Sequence, residues 1–102
     1  MRIWTSALLL AGSLATGAAQ AQEAMLARNL AATCANCHGT NGQARGDMKP
    51  LAGLAAPLII AALADYKSGA RPATVMQQIA KGYTDAQIKL VADYFAAQAA
   101  PR

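Results

Sequence analysis

Two cysteines separated by two residues and followed at once by a histidine constrain this chain more than any other feature. The motif Cys34-Ala-Asn-Cys37-His38 has the spacing by which haem is attached covalently to a polypeptide. Each thiol adds to one vinyl group, and the two intervening residues place both sulfurs along one edge of the porphyrin. His38 then lies beneath the ring, where its imidazole can bind the iron. The motif therefore predicts one covalent haem c, attached through Cys34 and Cys37 and ligated by His38.

Other uses of the same spacing fit this chain poorly. Half of a zinc site would need two further soft ligands, but the chain contains two cysteines and one histidine in all. A thioredoxin-like pair belongs in alternating strands and helices, and no strand pattern is present. A disulfide across two residues would be strained.

The first 21 residues have the pattern of an export signal. Arg2 precedes an apolar run from Ile3 to Leu14, and Ala19-Gln-Ala21 supplies a small-x-small cleavage site. The run is shorter than the roughly 20 residues of a membrane helix, so removal is favoured over anchoring. We therefore expect a single mature domain at 22–102 with no membrane span. We also expect it in the periplasm, since thioether attachment takes place after export.

Composition favours a domain built around a cofactor. The chain has one Phe, three Tyr and many alanines, which supply little bulk for a core, and a haem would provide an apolar centre. Nine basic residues against five acidic ones are spread singly along the chain. This distribution does not favour nucleic-acid binding, which requires a basic cluster or stripe.

Hydrophobic periodicity predicts helices only. The expected helices lie at about 23–33, 55–68 and 74–80, with a last one opening at Thr84, and a Gly-rich loop occupies 39–53. In the first helix we expect Met25 or Leu26, Leu30 and Thr33 to form the buried stripe. In the last helix, Thr84-Asp-Ala-Gln87 fits a capping box, and Ile88, Val91/Ala92 and Phe95 form an apolar face.

Within the loop, a backbone carbonyl could accept the Nδ1 proton of His38 and fix its tautomer. Pro50 is one candidate for that carbonyl, and a role of Pro50 in stiffening the turn is equally compatible with the sequence.

The sixth iron ligand is less constrained, because no second histidine exists. A lysine or an open position is conceivable, and three methionines follow the predicted signal. Met25 precedes the cysteines and is expected to fill the core, and Met48 lies in the loop on the histidine side. Met76 lies far enough along the chain to reach the opposite haem face, so we favour Met76, with Met48 next. Met76 could also simply pack against the haem plane.

The order of these elements resembles the small class I cytochromes c. The segments Cys34–Gly42, Pro50-Leu-Ala-Gly53 and Thr84–Phe95 are similar to the cytochrome c4/c553 branch. More narrowly, Lys67–Met76 followed by Ile79–Asp85 resembles the haem subunit of flavocytochrome c sulfide dehydrogenase.

This resemblance implies an all-α class I cytochrome c fold, with three to four helices around one covalently bound haem c. It implies thioether bonds at Cys34 and Cys37, axial ligands His38 and Met76, and an FAD-bearing flavoprotein partner in a probable heterodimer that oxidises sulfide. The chain itself would transfer single electrons without bond chemistry. The alternatives are a free electron carrier serving other redox proteins and, further off, a haem sensor or peroxidase with an open sixth position. Leu58 stands where related sequences often carry Tyr.

Overall fold

The described part of the chain forms four α-helices joined by irregular connections. In this computed structural model the backbone is described for residues 4–101 and the side chains for residues 15–101. Within that range there is no strand, and the all-helical class predicted from the sequence is confirmed. The helices are α1 (Trp4–His38), α2 (Ala56–Ser68), α3 (Val75–Lys81) and α4 (Asp85–Ala96), with one 3₁₀ turn at Thr40–Gly42. The predicted bounds of α2 and α3 are each within one residue of these.

The first helix is longer than predicted. It runs unbroken from Trp4 to His38, because this Ala-rich segment contains no proline, and it ends where Gly39 adopts a left-handed φ of 85°. Residues 15–26 are all exposed, and Ala27 is the first buried side chain among those described. The start of the predicted export signal, including Arg2, lies outside the described residues, so cleavage stays a prediction. Over the described residues, no helix combines the length and apolar character that a membrane crossing requires.

The buried face of α1 also differs from the prediction. Met25 and Leu26 are 65% and 48% exposed, whereas Ala27 and Ala31 are buried. The expectation that Met25 fills the core is therefore wrong. Small residues occupy the contact with α4 because they let the two backbones approach closely, a requirement that a search for bulky apolar residues does not detect.

The core lies where α4 packs against α1 and α2. All four predicted positions of the α4 stripe are buried, and Phe95 is the largest fully buried side chain among those described. In α2, Ile59 faces this core, but its neighbour Leu58 is 64% exposed. The short helix α3 packs against α2. The helices thus pack in the order α1, α4, α2 and α3, with α1 on α4 and α3 on α2.

The helix ends follow the local chemistry of the sequence. Pro57 lies in the first turn of α2, and Gly69 ends that helix with a φ of 86°. At the start of α4, the Thr84 hydroxyl accepts from the backbone N–H of Gln87 at 3.1 Å. The side-chain oxygen of Gln87 accepts from the backbone N–H of Thr84 at 2.9 Å. The predicted capping box is therefore confirmed.

Gly42 is tightly packed against α4 and the following loop, and we expect Gly42→Ala to destabilise the haem-loaded protein by about 2–4 kcal/mol. Gly42 has a φ of 77°, and a Cβ there would lie 2.8 Å from both the Ala52 nitrogen and Phe95 Cδ1. Urea unfolding measures the change. Gly46→Ala is the matched control, because Gly46 has a φ of 63° with open space around it. The control should lose only about 1 kcal/mol, and equal losses would contradict the packing argument.

Candidate haem site

The haem-attachment motif occupies the last turn of α1. Cys34, Cys37 and His38 are at positions i, i+3 and i+4 of a helix, so the three side chains project from one face. Cys34 is half-buried and Cys37 is exposed, and the two thiols are not joined to each other. Both thiols are therefore available on the same face as the imidazole, as thioether attachment requires.

The backbone turns away directly after His38 through three left-handed residues. Gly39, Asn41 and Gly42 have φ values of 85°, 55° and 77°. A Cβ on Gly39 would lie 2.1 Å from the carbonyl oxygen of Gln43, so no other residue fits there. Asn41 tolerates this conformation better than most residues. The predicted sharp turn is confirmed, and it returns the chain toward the histidine.

A backbone carbonyl holds the imidazole of His38. Nδ1 of His38 lies 2.6 Å from the carbonyl oxygen of Lys49. Because a carbonyl only accepts, Nδ1 donates this hydrogen bond, and Nε2 is then the nitrogen of the neutral imidazole that can bind a metal. The sequence suggested Pro50 as the source of such a carbonyl; the structure corrects this by one residue, to Lys49.

The position of the Lys49 carbonyl follows from the turn that precedes it. The carbonyl of Gly42 accepts two hydrogen bonds, from the Leu51 N–H at 2.9 Å and from the Ala52 N–H at 3.1 Å. The Gly53 N–H in turn donates to the Phe95 carbonyl at 3.0 Å. The loop is thereby fixed to both the turn and α4, and Lys49, two residues before Leu51, is presented to His38.

Burial affects the first cysteine of the motif. Desolvation raises the pKa of the Cys34 thiol, and a hydrogen bond to backbone lowers it by less. Cys34 therefore remains a neutral thiol at physiological pH. Two unpaired thiols and an imidazole with a free Nε2 are the donor set that a covalent haem needs, so the residues present fit the group.

The three methionines lie in different surroundings. Met76 is the second residue of α3 and is half-buried. Met48 is 43% exposed and immediately precedes Lys49, the residue whose carbonyl accepts from Nδ1 of His38. Met25 is exposed on α1, nine positions before Cys34. Met76 belongs to α3, which packs on α2, whereas the motif belongs to α1.

A model of the cytochrome c family matches residues 18–98, which is most of the chain. The chain belongs to the cytochrome c family. Its cofactor is therefore covalently bound haem c, in agreement with the sequence motif.

Individual relatives agree with the family. The chain is 44% identical over 66 residues to the cytochrome subunit of sulfide dehydrogenase from Chlorobaculum tepidum, a match covering 65% of this chain and 60% of the relative. It is 46% identical over 61 residues to cytochrome c-552 from Acidithiobacillus ferridurans, covering 60% of this chain and 26% of that protein. It is 34% identical over 70 residues to cytochrome c-554(548) from Halomonas halodenitrificans, covering 65% and 84%. The chain thus spans less than two thirds of the first two relatives.

A solved structure shares the fold. Cytochrome c4 from Acidithiobacillus ferrooxidans superposes with a TM-score of 0.61 at 44% sequence identity, covering 63% of this chain and 37% of that chain. The architecture described above is therefore a class I cytochrome c fold of the cytochrome c4 type.

Sequence reasoning missed one contact beside the motif. The Tyr94 hydroxyl donates to Asn41 Oδ1 at 2.6 Å, which joins α4 to the turn after His38. Two residues 53 positions apart give no sequence signal of a contact. The nearest signal was the Asn41-Gly42 pair, which indicates a turn but not its partner.

Asn41 combines a backbone role with this side-chain role, and two substitutions should separate them. Asn41→Gly keeps the left-handed backbone and loses the hydrogen bond, so we expect a loss of about 1 kcal/mol in unfolding free energy. Asn41→Val places a β-branched residue at a φ of 55°. It should lower the unfolding free energy by about 2 kcal/mol more than Asn41→Gly does. Thermal and urea unfolding of the haem-loaded proteins measure both. Equal losses would mean that the backbone conformation at Asn41 contributes nothing.

Proposed function

We propose that this chain is a periplasmic monohaem c-type cytochrome that transfers single electrons as the cytochrome subunit of a flavocytochrome c sulfide dehydrogenase. The observation that carries the electron-transfer role is the His38–Lys49 hydrogen bond at the end of the Cys34–Cys37 helix. This bond orients Nε2 for iron next to two thiols on the same helical face. The helix, the turn and the loop thus act together as a covalent haem mount.

Each site residue has a distinct role in this proposal. Cys34 and Cys37 would form the thioethers, and His38 and Met76 would bind the iron. When bound, the haem would supply a reversible one-electron couple. The Met76 thioether is a soft ligand that would favour the ferrous state and keep oxygen or peroxide from the iron. Met48 is less suited, because the next residue, Lys49, bonds the imidazole through Nδ1, whereas the iron would bind Nε2.

The proposed partner is an FAD-bearing flavoprotein in a heterodimer. The support is the 44% identity to the cytochrome subunit of sulfide dehydrogenase from Chlorobaculum tepidum, together with the specific segment Lys67–Met76. In this arrangement the flavoprotein oxidises sulfide, and the haem passes the electrons outward one at a time.

Export of the chain is supported by the structure of α1. Residues 15–26 are exposed, so cleavage after Ala21 would remove no buried side chain of the described part. The body of the domain begins with the first buried residue, Ala27. A mature chain at 22–102 would therefore retain every buried side chain among those described.

A free electron carrier is the second candidate. It is favoured by the match to cytochrome c-554(548), of which this chain covers 84%. A haem sensor or peroxidase would need an open sixth position, which ligation by Met76 excludes.

We expect Met76→Ala to open the sixth position. The variant should gain binding of imidazole in the ferric state, and its reduction potential should fall by at least about 100 mV, within the roughly 0.8 V range that axial ligands control. Absorption spectra and a potentiometric titration measure the two changes. Met48→Ala is the control and should leave both unchanged. Loss of ligation in the Met48 variant alone would reverse the assignment, and no change in either variant would favour an open site.

Native purification distinguishes the subunit from the free carrier. From a periplasmic extract of the source cells, we expect the haem protein to co-elute with a flavin-containing polypeptide, and sulfide to reduce the haem in that pool. The purified cytochrome alone is the control and should not be reduced rapidly by sulfide. A lone cytochrome in the native extract, reduced only by added donors, would favour the free carrier.

A further inference from the structure

The helix that carries Met76 is held mainly at its C-terminal end. α3 has seven residues, and Thr74, its N-cap, makes no side-chain capping bond within the described part of the chain. Val75 is 59% exposed, whereas Ala80 is fully buried. The Tyr83 N–H then donates to the Ala80 carbonyl at 3.3 Å. The position of α3 therefore depends on what fixes the segment around Tyr83.

Tyr83 connects this segment to the haem-attachment helix. Its hydroxyl donates to the carbonyl oxygen of Leu30 in α1 at 3.2 Å, in a partly buried contact. In an α-helix the Leu30 carbonyl also accepts from the residue four positions later, which is Cys34. The Tyr83 hydroxyl thus bonds the same peptide group that holds the first cysteine of the motif.

Lys67 fixes the backbone of Tyr83 from the other side. Its ammonium group donates to the Tyr83 carbonyl at 2.6 Å, and it lies 3.8 Å from a carboxylate oxygen of Asp85. The hydrogen bond is partly buried, whereas Asp85 is fully exposed, so the bond to Tyr83 contributes more than the ion pair. Through Tyr83, α2 is therefore joined to α1 at the end of α3.

We propose that Tyr83, held by Lys67, is a positioning residue that keeps Met76 bound to the haem iron. The hydrogen bonds from Tyr83 to Leu30 and from Lys67 to Tyr83 form the Tyr83 link. The link connects the segment bearing one proposed axial ligand to the helix bearing the other ligand and both cysteines. It therefore sets how often the methionine sulfur leaves the iron. This inference rests on the proposed ligation by Met76.

The contacts of Arg71, just before α3, do not join the α3 segment to the motif helix. The Arg71 guanidinium lies 3.8 Å from an Asp65 carboxylate oxygen and 5.3 Å from the Tyr66 ring centre. The Arg71 and Asp65 side chains are 44% and 49% exposed, so solvent screens their ion pair, and these groups belong to α2 and the connection after it. Of these contacts, the Tyr83 link alone joins the α3 segment to the motif helix.

The affinity of the ferric haem protein for imidazole measures how firmly the Tyr83 link holds Met76. Imidazole binds only when Met76 has left the iron, so its apparent affinity reports the fraction of open protein. Tyr83→Phe keeps the ring and removes the hydroxyl. We expect about a 5-fold increase in imidazole affinity, the equilibrium equivalent of one hydrogen bond. The near-infrared sulfur-to-iron absorption should also be lost at a lower temperature. Lys67→Met should likewise raise the imidazole affinity and lower the temperature at which the absorption is lost. It replaces Tyr83→Phe if that variant is poorly produced.

Two further variants control for general effects. Tyr66→Phe removes a hydroxyl from α2 and keeps the ring beside Arg71, so it should bind imidazole like the unmodified protein. Tyr94→Phe loses the 2.6 Å bond to Asn41, which does not involve α3. It should lower the free energy of unfolding without the 5-fold gain in imidazole affinity.

The outcomes separate this inference from the function it rests on. If the ferric protein shows no sulfur-to-iron absorption and Met76→Ala changes nothing, ligation by Met76 fails and the inference fails with it. If Met76 is the ligand but Tyr83→Phe binds imidazole no better than Tyr94→Phe, the positioning role of Tyr83 alone is overturned. A selective gain in Tyr83→Phe and Lys67→Met supports it.

Discussion

The close packing of α1 on α4 is the contact on which the rest of the structure depends. Ala31 of α1 and Ala92 of α4 are both almost completely buried, and Phe95 completes the same cluster. Small side chains allow the helices to approach closely, and Phe95 then reaches the turn at Gly42. Because that turn directs the loop back to His38, the orientation of the imidazole is determined by a helix contact more than a turn away from it.

Backbone carbonyls accept two hydrogen bonds that join distant parts of this chain. The Lys49 carbonyl fixes the tautomer of His38, and the Leu30 carbonyl receives the hydroxyl of Tyr83 after the Met76 helix. Both carbonyls belong to backbone that further hydrogen bonds hold: Leu30 lies within α1, and Lys49 lies two residues before Leu51, whose N–H donates to Gly42.

The protein core is small for a domain of this length. Of nine buried apolar residues among the described side chains, five are alanines, so apolar burial by the polypeptide alone is limited. A covalently bound haem c adds a large apolar surface to such a core. Because thioether bonds are covalent, a haem attached at Cys34 and Cys37 would stay with the domain and keep that apolar surface buried.

The sequence by itself determined the local features of this protein. Three such features are the Cys34–His38 motif, the Thr84–Gln87 capping box and the α4 stripe. Each depends on residues within a few positions of one another, so the order of the residues is enough to predict it. The tertiary structure alone decided which face of α1 is buried, which carbonyl accepts from His38, and which carbonyl accepts from the Tyr83 hydroxyl. Those choices depend on how closely helices approach and on contacts between residues distant in the chain, such as Tyr83 and Leu30. No periodicity or spacing encodes them, since they are properties of packing in three dimensions.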